Sequence, residues 1–312
     1  MRVLLVVNPT ASSVTPRART DVERVLRSAY DLDVAETSRR EHAVTLARDA
    51  VTDGYDVVAV LAGDGTLNEA GGGLAGSNVA LAALPGGSTN VFARTLGAAY
   101  APEAAAREVV AALARGSCRR IGLGSAAAPG TPPRHFLFHL GIGFDAAIIR
   151  RMEQHSSVKR YFAHPAFAAT ALSTWMRHYD RDTRVRFTIE RDNGDVEEIG
   201  IGPYAVISNS DPYTYVGRRP MRIAPGAALD DELTVTVLRT LRARVVARAA
   251  AAAVGRATYL TTSPEVVQRT HVEAVDLSAD SPFPWQVDGD YLGQVERLAV
   301  RYAADCLTVV VP

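Results

Sequence analysis

The sequence predicts two domains, an α/β domain followed by a β-rich domain. The chain is 312 residues long, its first 120 residues alternate strand and helix patterns, and the remainder shows short strand patterns between turns. This length suffices for two domains of ordinary size. We place them at residues 1–121 and 122–312, and leave open whether the last strand returns to the first domain.

The first domain is predicted to contain a parallel sheet with helices on both faces, because strands and helices alternate with short connections. We predict strands at 2–8, 31–37, 57–61 and 79–84, and helices near 22–30, 41–53, 66–74 and 102–115. Ligands of such sheets bind at the carboxyl ends of strands. The connections 63–66 and 85–90 both follow strand ends, so we expect them to lie on one edge.

The second domain is predicted to be a β-sandwich because its apolar runs are short and separated by turn signals such as Asp288-Gly289. The segment 124–133 has the composition of a loop. We predict strands at 135–140, 185–190, 204–208, 233–238, 295–302 and 307–311, with helical insertions at 146–179 and 241–257.

Composition excludes several classes of protein. The 34 basic and 34 acidic residues give a formal net charge of zero, which argues against bulk nucleic-acid binding. The sequence contains no run of about 18 apolar residues, so we expect no transmembrane segment. The apolar start of the chain is short and suits a first strand better than a signal peptide.

The few cysteines and the single lysine exclude further kinds of binding site. Cys118 and Cys306 are far apart in the sequence, so we expect no disulfide framework, no cysteine metal site and a reducing cytoplasm. Lys159 is the only lysine. Because no glycine-rich loop ends in Gly-Lys-Ser or Gly-Lys-Thr, a Walker-type phosphate-binding loop is excluded.

Residues 63–66, Gly-Asp-Gly-Thr, join an apolar strand to a helix. Glycines let backbone amides approach a ligand, and successive amides at a helix start bind anions. Asp64 would repel a phosphate unless a cation or a ribose hydroxyl lay between them. The stretch therefore fits a nucleotide with magnesium, or a tight turn in which Asp64 is a helix cap.

Residues 85–90 repeat this pattern at the next strand end. Gly86 and Gly87 are followed by the polar side chains of Ser88 and Asn90, again ahead of a helix. Two such loops at adjacent strand ends favour a phosphate or nucleotide site over two unrelated turns.

Six motifs occur in a fixed order along the chain. They are NP at 8–9, GDGTLNE at 63–69, PGGSTNVFAR at 85–94, GIGFDA at 141–146, MRIAPGAALDD at 221–231 and QVDGD at 286–290. In this order they resemble the diacylglycerol kinase catalytic-domain superfamily, and in particular the bacterial soluble lipid kinases of the diacylglycerol kinase type. The resemblance extends over nearly the whole chain.

The resemblance implies an α/β nucleotide-binding domain, a β-sandwich with the lipid site, and ATP and Mg²⁺ in a cleft between them. It makes Asp288 the general base and links Asp230, Asp231 and Asp290 to magnesium. The nucleotide-binding residues that it implies are Asn8, Thr37, Gly63, Asp64, Gly65, Thr66, Asn68, Glu69, Gly87, Ser88 and Asn90.

The chemistry of phosphoryl transfer fits these groups. Transfer from ATP to an alcohol depends mainly on positioning and charge neutralisation. The acceptor hydroxyl loses a proton, which a carboxylate such as Asp288 can accept. Without a P-loop lysine, backbone amides, magnesium and an arginine must offset the phosphate charge, and Arg94 is the candidate. By itself, the Asp288-Gly289 pair is also typical of a hairpin turn.

The sequence departs from the family pattern at several positions. Ala62 and Glu232 stand where the family usually has glycine, and Ser88 replaces a threonine. Asp290 occupies a position where glutamate is common, and its shorter side chain changes how a metal is reached. Glu232 directly follows Asp231 and weakens the metal assignment there.

We therefore predict an ATP- and Mg²⁺-dependent lipid kinase that phosphorylates the hydroxyl of a diacylglycerol-like lipid. Three alternatives stay open: a kinase of sphingoid bases or other lipid alcohols, an NAD kinase, and a catalytically silent nucleotide- or lipid-binding regulator. Further nicotinamide- and ribose-binding motifs are not found, and Asp288 is intact. We expect a cytoplasmic protein that contacts a membrane surface, and leave a homodimer open.

The segment 241–257 has two interpretations. Its four arginines, Arg242, Arg244, Arg248 and Arg256, stand among apolar residues, as in helices that lie on a membrane. A helix that packs on the β-domain and leaves its arginines in water has the same pattern, and we favour this second interpretation.

Overall fold

The computed structural model of the protein describes residues 1–154, 184–191 and 193–312. Contacts divide the chain into two compact units. The first unit comprises Met1–Leu123 together with Ala304–Pro312, and the second unit comprises Gly124–Ala303. Each unit has its own hydrophobic core.

The first unit contains the predicted parallel sheet. Its strands are β1 (Arg2–Val7), β2 (Asp31–Glu36), β3 (Val57–Ala62) and β4 (Ala80–Pro85), in the spatial order β4-β3-β1-β2. Strands β3 and β4 are buried along their whole length, as expected where helices cover both faces of a sheet. The end of the chain joins β4 in parallel through Val309, which pairs with Leu81.

Helices in the first unit follow from apolar spacing and capping. The helices are α1 (Pro16–Arg27), α2 (His42–Thr52), α3 (Asp64–Leu74), α4 (Val91–Thr95) and α5 (Pro102–Ala114). Helix α1 begins after Thr15, whose side chain accepts a hydrogen bond from the Ala18 amide. It buries Val22, Val25 and Leu26, which share one helical face. Helices α1 and α5 pack together, as do α2 and α3.

Helix α3 begins earlier than the sequence pattern predicted. The prediction started it at Thr66, whereas the structure starts it at Asp64, with Gly63 as N-cap. The Leu67 amide donates to the Gly63 carbonyl over 3.2 Å, which closes the first helical turn. The Gly-Asp-Gly-Thr stretch therefore contains the N-cap and the first turn of α3.

The second unit is an antiparallel β-structure of the predicted sandwich type. Its elements are β5 (Cys118–Ala127), which starts in the first unit, β6 (Arg134–Phe136), β7 (His139–Gly143), α6 (Phe144–Gln154), β8 (Val185–Arg191), β9 (Val196–Gly202), β10 (Tyr204–Ser208), β11 (Thr214–Val216), β12 (Arg219–Met221), β13 (Leu233–Leu238), α7 (Ala243–Val254), α8 (Thr258–Thr262), β14 (Val266–Val287) and β15 (Asp290–Val310), which ends in the first unit. Strands β7, β10, β13 and β14 pair in a closed cycle.

Several predicted boundaries in the second unit were wrong. Residues 124–127, predicted as loop, extend β5 because they pair with β6. The predicted strands 295–302 and 307–311 are parts of the single strand β15, which continues through Asp305 at a φ of 47°. Strand β14 was not predicted, because Pro282 and Pro284 interrupt its pattern and proline is unusual inside strands.

The two predicted helical insertions have different outcomes. Helix α6 corresponds to the start of the first insertion, and residues 155–179 lie outside the described residues. Helix α7 corresponds to the second and buries Val245, Ala249 and Ala253 against the second unit. The interpretation as a packed helix is thus confirmed. Within the described ranges, no helix has the length and apolar character needed to cross a membrane.

A substitution at Gly124 in β5 tests how tightly the hydrophobic core of the second unit is packed. A Cβ atom added there would lie 1.9 Å from the Phe136 ring, which is fully buried. We expect Gly124→Ala to lower the free energy of unfolding by about 1–3 kcal/mol, because overpacking forces the core to shift. Denaturant unfolding measures this effect. Ser125→Ala, at the next position on the opposite face of the strand, is the control, and an equal effect of both substitutions would contradict the packing argument.

Candidate active site

Two clusters of predicted site residues are found, one in each unit. The first is the loop pair, which we define as residues 63–66 and 85–90. A Cβ atom on Gly87 would lie 2.7 Å from the Gly63 Cα, and one on Gly86 would lie 2.7 Å from the Ala62 nitrogen. The two segments therefore pack backbone against backbone, which requires glycine at positions 86 and 87.

Asp64 fastens the two segments of the loop pair together. Its carboxylate oxygens accept hydrogen bonds from the amides of Val91 and Phe92, at 2.9 Å and 3.2 Å. Burial raises the pKa of Asp64, and these amides partly offset the rise. Asp64 is thus a cap, as one sequence interpretation proposed, but it caps α4 and not its own helix.

Asn90 shapes the second segment of the loop pair. Its backbone is left-handed, with a φ of 48°, a conformation that asparagine tolerates better than most residues. Its side-chain oxygen accepts from the Gly87 amide, and its side-chain nitrogen donates to the Gly87 carbonyl, both over 2.8 Å. Asn90 therefore organises the loop from inside.

The exposed side of the loop pair is rich in backbone amides. The amides of Asp64, Gly65 and Thr66 form the first turn of α3 and have no carbonyl partner within the helix. Gly65 and Ser88 are exposed. The Asn8 side chain donates to the Thr66 hydroxyl over 3.0 Å. Amides at a helix start attract anions, so this surface suits phosphate groups.

Other predicted nucleotide-binding residues make structural contacts. Glu69 accepts hydrogen bonds from the amides of Glu41 and Ala43, at 3.0 Å and 3.3 Å, and thereby caps α2. Asn68 and Thr37 are buried, with 4% and 9% exposure. These three residues therefore have structural roles or buried positions within the first unit.

Arg94 lies beside the loop pair. Its guanidinium carbon is 5.4 Å from the centre of the Tyr100 ring, and its charge acts to lower the pKa of Asp64. A positive charge beside a phosphate-binding surface is consistent with the role predicted for Arg94.

The second cluster surrounds Asp288, in the turn between β14 and β15. Asp288 and Gly289 have φ values of 47° and 85°, as expected for a tight Asp-Gly hairpin turn. The Asp288 carboxylate accepts three backbone amides: Oδ1 from His139 at 2.8 Å and Phe138 at 3.1 Å, and Oδ2 from Leu137 at 2.9 Å. Asp288, the predicted general base, is therefore also a residue of the hairpin turn.

The environment of Asp288 suits proton transfer. Burial raises its pKa to about 7, and the three amides only partly oppose that rise. A carboxylate offers about four acceptor positions, so the described contacts leave one on Oδ2. A carboxylate that titrates near neutral pH and keeps an acceptor position is a suitable general base.

A buried polar network holds the Asp288 turn. The Gly289 amide donates to Gln286 Oε1, and Gln286 Nε2 donates to Asp145 Oδ2, both over 2.8 Å. The Tyr213 hydroxyl donates to Asp145 Oδ1 over 3.0 Å. Burial raises the pKa of Asp145 to about 6. A Cβ atom on Gly141 would lie 1.8 Å from Asp145 Oδ2, which explains the glycine in the GIGFDA motif.

Sequence reasoning missed most of this network. Gln286 is the first residue of the QVDGD motif and Asp145 lies in the GIGFDA motif, so the motifs were a usable signal for both. Tyr213 lies outside all six motifs, and only the fold places it next to Asp145.

The predicted magnesium ligands do not form one open site. Asp290 Oδ2 binds the Arg134 guanidinium over 2.6 Å. Asp231 and Glu232 both contact His271 Nδ1, at 2.9 Å and 3.2 Å. Asp231 and Asp290 thus each have a cationic or imidazole partner, and magnesium prefers open oxygen ligands. The ligand atoms of Asp231, Glu232 and His271 lie within 4.8 Å of one another, close enough to hold a metal ion, and Asp230 is exposed in the adjoining turn. The assignment of magnesium to these residues stays a prediction.

Comparisons with known families assign the chain. Residues 2–126 match the family described as diacylglycerol kinase catalytic domain. Residues 139–311 match the YegS C-terminal NAD kinase beta sandwich-like domain, which alone covers more than half of the chain. The chain belongs to the diacylglycerol kinase-like family. This membership identifies it as a kinase by its catalytic domain.

Solved structures show the same fold. A diacylglycerol kinase from Bacillus anthracis str. Sterne is 20% identical, with a TM-score of 0.71 over 100% of this chain and 97% of that chain. An NAD kinase from Archaeoglobus fulgidus, solved in complex with ATP, is 10% identical, with a TM-score of 0.54 over 99% of this chain and 93% of that chain. No curated protein matches the chain in sequence.

The role of Asp64 as a cap predicts an effect on stability. Asp64→Asn replaces an acceptor oxygen with an amide group that faces the backbone amides of α4. We expect the free energy of unfolding to fall by about 1–3 kcal/mol, because a buried donor loses its partner. Chemical denaturation measures the change. Asp31→Asn, at an exposed position, is the control, and equal stabilities of the two variants would contradict the cap.

Proposed function

We propose that the protein is a kinase that transfers the γ-phosphate of ATP to the hydroxyl group of a diacylglycerol-like lipid. The observation that carries the proposal is the Asp288 carboxylate, which three amides hold in place and whose pKa is raised to about 7. Its setting in a diacylglycerol kinase-like chain supports a lipid alcohol as the acceptor.

The loop pair is proposed to bind the phosphates of ATP. Backbone amides of α3 supply hydrogen bonds without a lysine, and Arg94 adds a positive charge. Magnesium enters as the MgATP complex, hence as part of the substrate, and neutralises phosphate charge. This proposal needs no resident magnesium ion at Asp231 or Asp290.

The proposed reaction is a direct transfer of the γ-phosphate from ATP to the acceptor hydroxyl. The acceptor hydroxyl oxygen forms a bond to the γ-phosphorus, and the bond from that phosphorus to the β–γ bridging oxygen breaks. ADP leaves with the bridging oxygen. The hydroxyl proton moves to Asp288 Oδ2, which the described contacts leave with an acceptor position.

Asp288→Asn tests the catalytic role directly. We expect loss of phosphate transfer by at least about 100-fold with ATP binding retained, because the amide cannot accept the proton. The measurement is transfer of labelled γ-phosphate to diacylglycerol, monoacylglycerol, sphingosine, ceramide and undecaprenol in mixed micelles, with NAD as a soluble acceptor. Asp280→Asn, an exposed position on β14, is the matched control.

Each outcome of this assay has a defined meaning. A labelled glycerolipid that disappears in Asp288→Asn supports the proposal. Label on sphingosine alone or on NAD alone would show that the acceptor is a sphingoid base or NAD and not a glycerolipid. NAD is included because the fold is shared with an NAD kinase. Phosphate transfer that persists in Asp288→Asn would show that Asp288 is not the general base. ATP binding without transfer to any acceptor would favour a silent binding protein.

A lipid kinase has to meet its acceptor at a membrane, and we propose that the outer face of α7 takes part. Residues 233–264 contain five arginines and no aspartate or glutamate. Arg244 and Arg248 are exposed one helical turn apart, while the apolar face of α7 is buried in the second unit. Contact with anionic head groups is therefore electrostatic, without insertion of the helix.

Charge reversal at α7 tests this membrane contact. We expect Arg244→Glu to weaken binding to phosphatidylglycerol vesicles by about fivefold or more, since each basic residue near an anionic surface contributes about 1 kcal/mol. Vesicle co-sedimentation at low salt measures it. Arg115→Glu makes the same change of charge at an exposed position of the first unit. Equal weakening by both substitutions would indicate a general charge effect and would contradict a role for α7.

A further inference from the structure

The buried polar atoms that have no hydrogen-bond partner in the described part of the chain include His139 Nδ1, Ser210 Oγ and Asp211 Oδ1, all in the second unit. His139 is 8% exposed and Ser210 is 3% exposed. The Asp211 side chain is 5% exposed. Buried polar groups nearly always have partners, because an unpaired one costs about 1–3 kcal/mol. Three such atoms in nearby segments therefore call for a specific explanation.

The fold places the segment that contains Ser210 and Asp211 next to the start of β7, where His139 lies. Ser208 pairs with His139 across strands β10 and β7. Directly after β10, the Asn209 amide donates to the Phe138 carbonyl over 2.7 Å, so the chain enters Ser210 and Asp211 beside the start of β7. The Tyr213 ring stacks on the His139 ring with centroids 4.0 Å apart, which holds the segment after β10 against the start of β7.

Trp285 does not belong to this group. Its Nε1 atom is also buried without a partner, but Trp285 lies in the main core of the second unit with Ile142. Residue 142 is three positions from His139 on β7, so its side chain points to the opposite face.

The group lies next to the proposed general base. The His139 amide donates to Asp288 Oδ1 over 2.8 Å, and the Asp288 amide donates to the His139 carbonyl over 3.0 Å. The residue that supplies one unpartnered atom thus also binds Asp288. A molecule that presents a hydroxyl to Asp288 would have its neighbouring atoms near this group.

The charges around the group favour a neutral ligand. Asp211 Oδ2 binds the Arg222 guanidinium over 2.6 Å, so these two charges compensate each other. Burial lowers the pKa of His139 to about 3, so its ring is neutral at physiological pH. What remains is a set of donors and acceptors with no net charge, which suits hydroxyl and carbonyl groups.

We propose that His139, Ser210 and Asp211 form a head-group subsite that hydrogen-bonds the ester and hydroxyl oxygens of a neutral glycerolipid. The inference rests on the proposed kinase function and assigns the residues that recognise the head group of the acceptor. In this subsite the Ser210 hydroxyl donates to an ester carbonyl of the lipid. A buried polar site rejects a molecule that leaves its groups unpaired, so a long-chain acceptor without ester carbonyls gains nothing from Ser210.

Ser210→Ala tests the subsite with two soluble acceptors, dioctanoylglycerol and its diether analogue dioctylglycerol. Both carry the same free hydroxyl, and only the diester has carbonyl oxygens. We expect KM for the diester to rise about tenfold, the value of one hydrogen bond in a buried site. KM for the diether and KM for ATP are expected to stay unchanged. Because Ser210 Oγ has no partner in the described protein, thermal stability is not expected to fall.

Thr236→Val is the matched control. Thr236 is fully buried, and its hydroxyl donates to the Ile223 carbonyl over 3.2 Å. Removing a hydroxyl that has a protein partner is expected to lower stability and to leave KM for dioctanoylglycerol unchanged. The two variants therefore separate a ligand-binding hydroxyl from a structural one.

Two results would overturn the subsite. Lower stability of Ser210→Ala with an unchanged KM would show that a buried water satisfies the hydroxyl. An equal rise of KM for the diester and the diether would show general damage near Asp288.

A direct binding measurement separates this inference from the kinase proposal. Dioctanoylglycerol is expected to raise the thermal midpoint of the wild-type protein, and to raise that of Ser210→Ala less at the same concentration. If the wild-type protein transferred phosphate to no lipid, this difference would still support the subsite. Equal shifts for the two proteins would overturn the subsite even if the kinase reaction were confirmed.

Discussion

Half-buried carboxylates that accept backbone amides organise both clusters of the candidate active site. Asp64 accepts two amides at the start of α4 and thereby joins the two segments of the loop pair. Asp288 accepts three amides from the strand connection 137–139 and thereby fixes its own hairpin turn. A buried carboxylate is costly without such partners, so each acid specifies the conformation of the segment that it binds.

The same geometry gives the two acids different capacities for chemistry. Both oxygens of Asp64 accept amides of α4, so its proposed contribution is to hold the amides of α3 in place for a phosphate. Asp288 keeps an acceptor position on Oδ2, and burial holds its pKa at about 7. A carboxylate that accepts backbone amides thus stabilises the loop pair in the first unit and is the proposed proton acceptor in the second.

Sequence patterns predicted the parts of the fold that depend on local periodicity. The parallel sheet of the first unit was predicted because its apolar strands and helices are short and regularly spaced. Strand β14 was missed because its prolines are tolerated only through bulges and long-range pairing with β15. The network of Asp145, Gln286 and Tyr213 joins residues far apart in sequence, so no local pattern could predict that they meet.

The partners of the predicted magnesium ligands bear on how the reaction neutralises charge. Arg134 binds Asp290 and His271 binds Asp231, so these acids are already balanced by groups of the chain itself. Phosphate charge would then be offset by the metal that accompanies ATP, by the amides of α3 and by Arg94. Backbone amides are fixed by the fold and need no reorganisation during the reaction, which makes them effective at stabilising developing charge. A kinase without a P-loop lysine can therefore depend on the rigidity of its loop pair, which its glycines and Asp64 provide.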